Sequence, residues 1–204
     1  MKKLAIIGSG LLGKLICYHA SANFNVVGYY DDFTAGENIL GKTDSILKDF
    51  ENKKFDALII GIGYAQMQAR VSLFTKFKNK IPFANIIHAS SYIDKSTTLG
   101  EGIVILPGCT IDMECEIGDN VLCNTGCTIA HHSIIGNHCF LAPSVSIAGL
   151  VHVNRACFIG VGATLKDSIN IGEYSIIGAG SVVIKNVEEK TISVGVPAKV
   201  IKNI

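Results

Sequence analysis

Tryptophan is absent from the 204 residues, proline occurs four times, and charged residues make up only 17%. So much apolar content with so few charges excludes a disordered, solvating chain. Neither sign dominates: the formal net charge is +1, which speaks against a polybasic binder of nucleic acid or membrane surfaces. No run of about 18 apolar residues occurs, so no membrane span is expected. The opening Met1-Lys2-Lys3 and apolar residues 4–7 lack what an export signal needs, because Gly8-Ser9-Gly10 breaks the run and no small-residue cleavage site follows. Seven cysteines, an odd number, then point to reduced thiols and a cytoplasmic location. Glycine is plentiful, at 21 residues against four prolines, which indicates many tight corners rather than a proline-rich linker. Hydrophobic residues at 49% suffice for one large core or two small ones.

Residues 1–90 read as a Rossmann-like α/β unit and residues 91–204 as a second domain. Residues 3–7, 24–30, 55–60 and 82–88 are short apolar runs suited to buried parallel strands. Residues 11–22 and 65–77 have helical character, the second with Met67, Val71, Leu73 and Phe74 as its buried side. This alternation predicts a parallel sheet with crossover helices. Gly8, Gly10 and Gly13 fit a G-x-G-x-x-G turn between the first strand and helix. Such a turn lets a diphosphate approach the backbone at a helix N-terminus, or it simply packs helix against strand. Asp31, 18 residues beyond Gly13, stands where a carboxylate can accept from a ribose or base. Only one mononucleotide half fits before residue 90, so a nucleotide-sugar suits the space better than NAD.

From Ile93 to Val183 the period is six. Ile93, Leu99, Ile105, Ile111 and their successors recur without a break, and fifteen of the sixteen positions are aliphatic, Cys123 being the exception. Gly, Asn, Asp or Ala often follows, as at Gly100, Gly118, Asn124, Gly136 and Gly160, and is expected to relax the turn. Four residues after each aliphatic the side chain is mostly small. Neither a helical nor a simple strand period explains this; it is the hexapeptide repeat of a parallel β-helix. Cys109, Cys115, Cys127, Cys139 and Cys157 share the small slot and read as buried hydrophobes rather than as a metal cage or disulfide framework. His131 and His132 follow the interior Ile129 and lie at a corner. The hexads resemble those of the left-handed β-helix acyltransferases, in which three make one coil, and that resemblance puts Gly149 directly over His131, and Val161 and Ala179 in register with each other.

Gly8-Ser9-Gly10, Asp31-Asp32, Gly61 to Gly63 with Arg70, residues 86–88 ending in His88, the hexads, Asn124-Thr125, His131 and the ending Gly195-Val196-Pro197-Ala198-Lys199 occur in an order similar to that of the PglD/NeuD-like bacterial sugar acetyltransferases. The resemblance runs from residue 3 to residue 200 and implies a left-handed β-helix. It implies His131 as general base, Gly149 as the backbone donor to the thioester oxygen, and Val161, Ala179 and the Phe140 position as acetyl-CoA contacts. Ser9, Gly10, Leu11, Asp31, Asp32, Gly63 and Asn124 would hold the nucleotide-sugar. It further implies a homotrimer, no metal, no nucleic-acid or membrane partner, and N-acetylation of a nucleotide-linked amino-deoxy sugar for surface glycans. UDP-4-amino-4,6-dideoxy sugars come first, with GDP or dTDP also open, and O-acetylation of a sialic acid is the alternative.

Two departures stand out. The residue after the base is usually acidic, and here it is His132, so a carboxylate from Asp112 or Glu114 one coil below is the candidate replacement. Phe140 stands where the family has a second histidine, so that contact is lost or replaced by packing. Two rival readings are a zinc site built from His131, His132, His138 and His152, and a non-catalytic nucleotide sensor.

Overall fold

The computed structural model describes residues 1–204 and divides into two compact units, Met1–Ile86 and Ile87–Ile204. In the first unit, β1 (Lys3–Ile7), α1 (Leu11–Ala20), β2 (Asn25–Tyr30), β3 (Ile39–Gly41), α2 (Ile46–Glu51), β4 (Ala57–Ile60) and α3 (Met67–Phe77) follow in chain order. The strands form one parallel sheet in the order β3-β2-β1-β4. β1 and β4 are buried along almost their whole length, as expected of strands covered on both faces.

The strand expected over residues 82–88 is not formed in this sheet. It shrinks to a bridge between Leu58 and Phe83, with the Leu58 N–H donating to Pro82 O and the Ala84 N–H to Leu58 O. Pro82 has no N–H to continue a ladder. β3 and α2 were not foreseen, since elements of three and six residues are too short to show a period. On α3 the buried side is Arg70, Val71, Phe74 and Phe77, while Met67 and Leu73 are only partly covered. Tyr30 donates to Asp49 Oδ2 at 2.9 Å and Lys54 pairs with Asp49 Oδ1 at 2.8 Å, which fastens α2 to β2.

The second unit is a left-handed parallel β-helix. Its strands are two residues long, and each pairs with the strand one coil of 18 residues further on, as in Glu116 with Ile134 and Ile117 with Ile135. One face carries the strands from Tyr92–Ile93 to Val182–Val183 and a second those from Thr98–Leu99 to Asn170–Ile171. The third contains Val104–Ile105 to Ile176–Ile177 and ends in the antiparallel pair Thr191–Gly195 and Ala198–Asn203. The second residue of each strand points inward, and from Ile105 to Val183 these interior side chains are at most 2% exposed.

Two slots behave differently from the sequence reading. The glycines directly after the interior residue do not relax the turn. They allow adjacent coils to approach: a Cβ on Gly160 would stand 2.6 Å from Ala179 N and 2.7 Å from Ile177 O. The left-handed corner residue lies two positions later, at Gly108, Glu114, Asn120, Gly126, His132 and onward. The small slot is buried, as expected, but its members also donate hydrogen bonds. Cys115 Sγ reaches Ala130 O at 3.2 Å, Cys127 Sγ reaches Ala142 O at 3.2 Å, and Ser133 Oγ reaches Ala148 O at 3.0 Å. A weak thiol donor and a hydroxyl can share this position because both satisfy a corner carbonyl of the next coil.

Candidate active site

Two separate sites emerge, one in each unit. In the first, the C-terminal ends of β1, β2 and β4 bring the Gly8 loop, Asp31-Asp32 and the Gly61–Gly63 turn together. They line a cavity of about 640 Å³ that includes Gly10, Leu11, Asp31, Asp32, Phe33 and Gly63. This is the sheet edge where open α/β folds bind ligands. Gly13 lies so near Gly8 O that no Cβ fits there, so this glycine serves helix–strand packing. Gly10 begins α1 with no side-chain cap, and no acidic residue occupies the first turn, which leaves backbone N–H groups suited to an anion. Arg70, fully buried, donates from Nη1 to Ile62 O at 3.0 Å and holds the turn after β4.

Ser9 is not among the cavity-lining residues. Its N–H and Oγ–H both donate to Asp31 Oδ2, at 2.9 and 2.7 Å. The other oxygen, Oδ1, accepts from the N–H groups of Phe33 and Thr34, each at 3.0 Å. A carboxylate offers about four lone-pair positions, so Asp31 is saturated by its own chain. Asp31 therefore organises the loop while lining the cavity, and Asp32 keeps more of its lone pairs for a ligand. Asp32 takes two hydrogen bonds, both from Thr43. Burial alone would raise the Asp31 carboxyl, but the Ser9, Phe33 and Thr34 donors outweigh it and hold it at about 2.

A folded-state value below the ordinary carboxylate near 4 means a stabilisation present above that value and lost as the pH falls towards 2. Asp31→Asn is expected to destabilise the first unit by about 1 kcal/mol at pH 7, the group being only partly covered. The gap to wild type should close as denaturant unfolding is repeated towards pH 2. A gap of constant size would show that the Asp31 charge is not involved.

In the second unit, His131 and His132 stand exposed on the edge between the first two faces. Gly149 lies over His131: a Cβ built there would be 2.7 Å from Cε1 and 2.8 Å from Nε2 of the ring. The Gly149 carbonyl accepts from Ser168, while its N–H donates to no group of the chain. His131 Nδ1 is 3.1 Å from His132 Nδ1, and His132 Nε2 is 2.7 Å from Glu114 Oε2. Of the two carboxylates considered one coil below, Glu114 makes the contact, whereas Asp112 Oδ1 accepts from the Met113 N–H.

The remaining expected site residues are not gathered at this edge. Val161 and Ala179 stack in register, with the Gly180 N–H donating to Val161 O at 2.8 Å. They lie on the other edge of the first face, and Asn124 belongs to that edge too, its Oδ1 accepting from the Thr125 N–H. The single groove expected to join Gly149 with Gly160 and Gly178 is therefore two edges, separated within one chain by the exposed Thr110, Thr128, Ser146 and Thr164. Phe140 is on the third face, 6% exposed, with its ring 5.8 Å from that of Phe158. Phe140 is thus engaged in packing against Phe158. The four histidines of the zinc reading do not converge either: His138 is buried on another edge, 3.0 Å from Asn120 Nδ2.

Comparison with known proteins places these sites in context. Residues 3–77 match the family model of the PglD N-terminal domain. No curated protein matches the chain by sequence. PerB from Caulobacter crescentus, solved with CoA and GDP-perosamine, is 28% identical, with 98% of this chain and 97% of that chain covered and a TM-score of 0.89. A histidine-to-asparagine variant of perosamine N-acetyltransferase from the same organism, solved with the same two molecules, is 27% identical over 100% and 98% of the chains, with a TM-score of 0.93. Over its whole length the chain is similar to these perosamine N-acetyltransferases, and over residues 3–77 to the PglD N-terminal domain. The acetyltransferase domain of PglB from Neisseria gonorrhoeae, solved with acetyl coenzyme A, shares the fold at 22% identity, covering 98% and 99% with a TM-score of 0.90. No helix of the chain is long and apolar enough to cross a membrane.

Proposed function

We propose that the chain is an acetyl-CoA-dependent N-acetyltransferase acting on the amine of a nucleotide-linked amino-deoxy sugar in the cytoplasm, as a homotrimer. The observation that carries this reading is the open seat at His131 Nε2, beneath a glycine whose N–H is unspent. It is supported by the similar enzymes solved with CoA and GDP-perosamine. The α/β cavity would take the nucleotide, with the α1 N-terminus facing the diphosphate and Asp32 accepting from the nucleoside.

The sugar amine would attack the thioester carbon. His131 Nε2 would take the amine proton, and the Gly149 N–H would face the oxygen that becomes negative. Collapse would break the C–S bond and form the amide, and the proton would pass to the CoA thiolate. Imidazole suits this task because it titrates near neutral pH. A fixed backbone donor at such an oxygen is typically worth about 3–4 kcal/mol. Val161 and Ala179 lie on the far edge of the same face. If they contact the pantetheine of the acetyl-CoA that reacts at His131, a neighbouring copy must bring the two edges together, and this supports the trimer.

The test is thiol release from acetyl-CoA with UDP-, GDP- and dTDP-linked 4-amino sugars. Release with at least one of them, with the acetyl group found on nitrogen, is expected. Binding without release would make the chain a nucleotide sensor instead, and release only with a sialic acid would make it an O-acetyltransferase.

A further inference from the structure

The geometry points to Glu114 as a positioning residue that acts on His131 through His132: its carboxylate selects the imidazole tautomers that leave the outer nitrogen of His131 with a free lone pair. This inference rests on the proposed role of His131 as base. Glu114 and His132 both occupy the left-handed corner slot, with φ of 54° and 59°, one coil apart, so their side chains stack. A carboxylate can only accept, so the 2.7 Å contact requires a hydrogen on His132 Nε2. Neutral His132 then has its lone pair on Nδ1. His131 Nδ1, 3.1 Å away, must be the donor. The remaining nitrogen of His131, Nε2, is left unprotonated, and it is the atom that lies under Gly149. Which ring nitrogen of a histidine carries the hydrogen is set by the bond the other nitrogen makes, and here that control extends over two rings.

The same chain of contacts handles the proton. When Nε2 of His131 takes a hydrogen from the amine, an N–H bond breaks on the sugar and one forms on the ring. The Nδ1 hydrogen can then move to His132 Nδ1, so that the positive charge settles against the Glu114 carboxylate. Reversal of both movements returns one proton for the thiolate. The arrangement also fixes the effect of acid. A protonated His132 donates from both nitrogens, which forces His131 to accept at Nδ1 and carry its hydrogen at Nε2. One proton taken up by the pair therefore removes the base. The other charged residues on this edge are Asp112, Asp94 and Lys95 on the lower coils and Lys166, Asp167 and Lys185 above, and neither histidine is bonded to any of them.

Nitrogen-15 NMR of the imidazoles at pH 8 tests the assignment without any substrate. Wild type is expected to carry hydrogen on Nδ1 of His131 and Nε2 of His132; hydrogen on His131 Nε2 would overturn it, whatever the enzyme's activity. Glu114→Gln is expected to mix the tautomers and to lower kcat about 10- to 100-fold, by analogy with the loss when partners that orient metal-binding histidines are removed. KM for acetyl-CoA should stay within about twofold. In a His132→Glu background the new carboxylate accepts from His131 directly, so adding Glu114→Gln should leave kcat unchanged or raise it. An equal loss in both backgrounds, or none in wild type, would overturn the proposal. Failure of wild type to transfer acetyl groups would instead strike at the proposed function, and the NMR result would still stand or fall separately.

Discussion

His131→Ala is expected to lower kcat for thiol release by about 10²–10⁴-fold, the usual loss when a positioned acid–base group is removed, while thermal unfolding should hardly move. The expectation of intact folding follows from where the ring sits. It is exposed on an edge, outside the stack of interior aliphatics that holds the β-helix together. Its hydrogen-bond partner His132 is itself exposed and keeps Glu114, so the substitution leaves no buried polar group unpaired. KM values should change little, because the Gly149 N–H and the α/β cavity are untouched. The residual rate would come from holding amine and thioester together and from the backbone donor. A variant with wild-type kcat would remove His131 from the chemistry and with it the acyl-transfer reading of this edge.

The β-helix was legible in the sequence because every coil repeats one environment at a fixed interval. The inward residue must be apolar in each hexad, so Ile105, Ile111, Ile117 and their successors record the fold directly. With three hexads to a coil, as the resemblance implies, stacking at 18 residues places Gly149 over His131. What the sequence hid were roles that a residue type does not reveal. Glycine fits both a left-handed corner and a close approach between coils, and only coordinates separate Gly108 from Gly160. A cysteine reads as small and apolar, while the thiols of Cys115 and Cys127 also satisfy carbonyls of the next coil. Asp31 reads as a ligand acceptor in the sequence because nothing in a linear motif shows that its oxygens accept from Ser9, 22 residues earlier, and from the Phe33 and Thr34 N–H groups. The separation of Val161 and Ala179 from His131 follows from three faces per coil, a fact that register shows and a linear motif does not. Glu114 stood as one of two carboxylates, and the corner conformation it shares with His132 decides between them.

Gly149→Ala should cost at least about 100-fold in kcat, the scale expected when a catalytic group is displaced by about 1 Å, with no loss of folding stability. The glycine does not use the left-handed backbone region, so alanine fits its conformation, and such replacements are neutral or mildly stabilising. The new Cβ, however, would meet Cε1 and Nε2 of His131 at 2.7 and 2.8 Å. Those atoms are the far end of a rotatable side chain, so the ring gives way and the backbone does not. The displaced ring no longer offers Nε2 at its seat, and the methyl group covers the approach to the Gly149 N–H. The same substitution at Gly160 is the contrasting control, because there the Cβ would meet backbone atoms of the next coil at 2.6–2.7 Å, which cannot rotate away. Gly160→Ala should therefore lower the unfolding midpoint, while Gly149→Ala should leave it in place and lose turnover. Full activity in a folded Gly149→Ala protein would mean that the space above the imidazole is not where the thioester reacts.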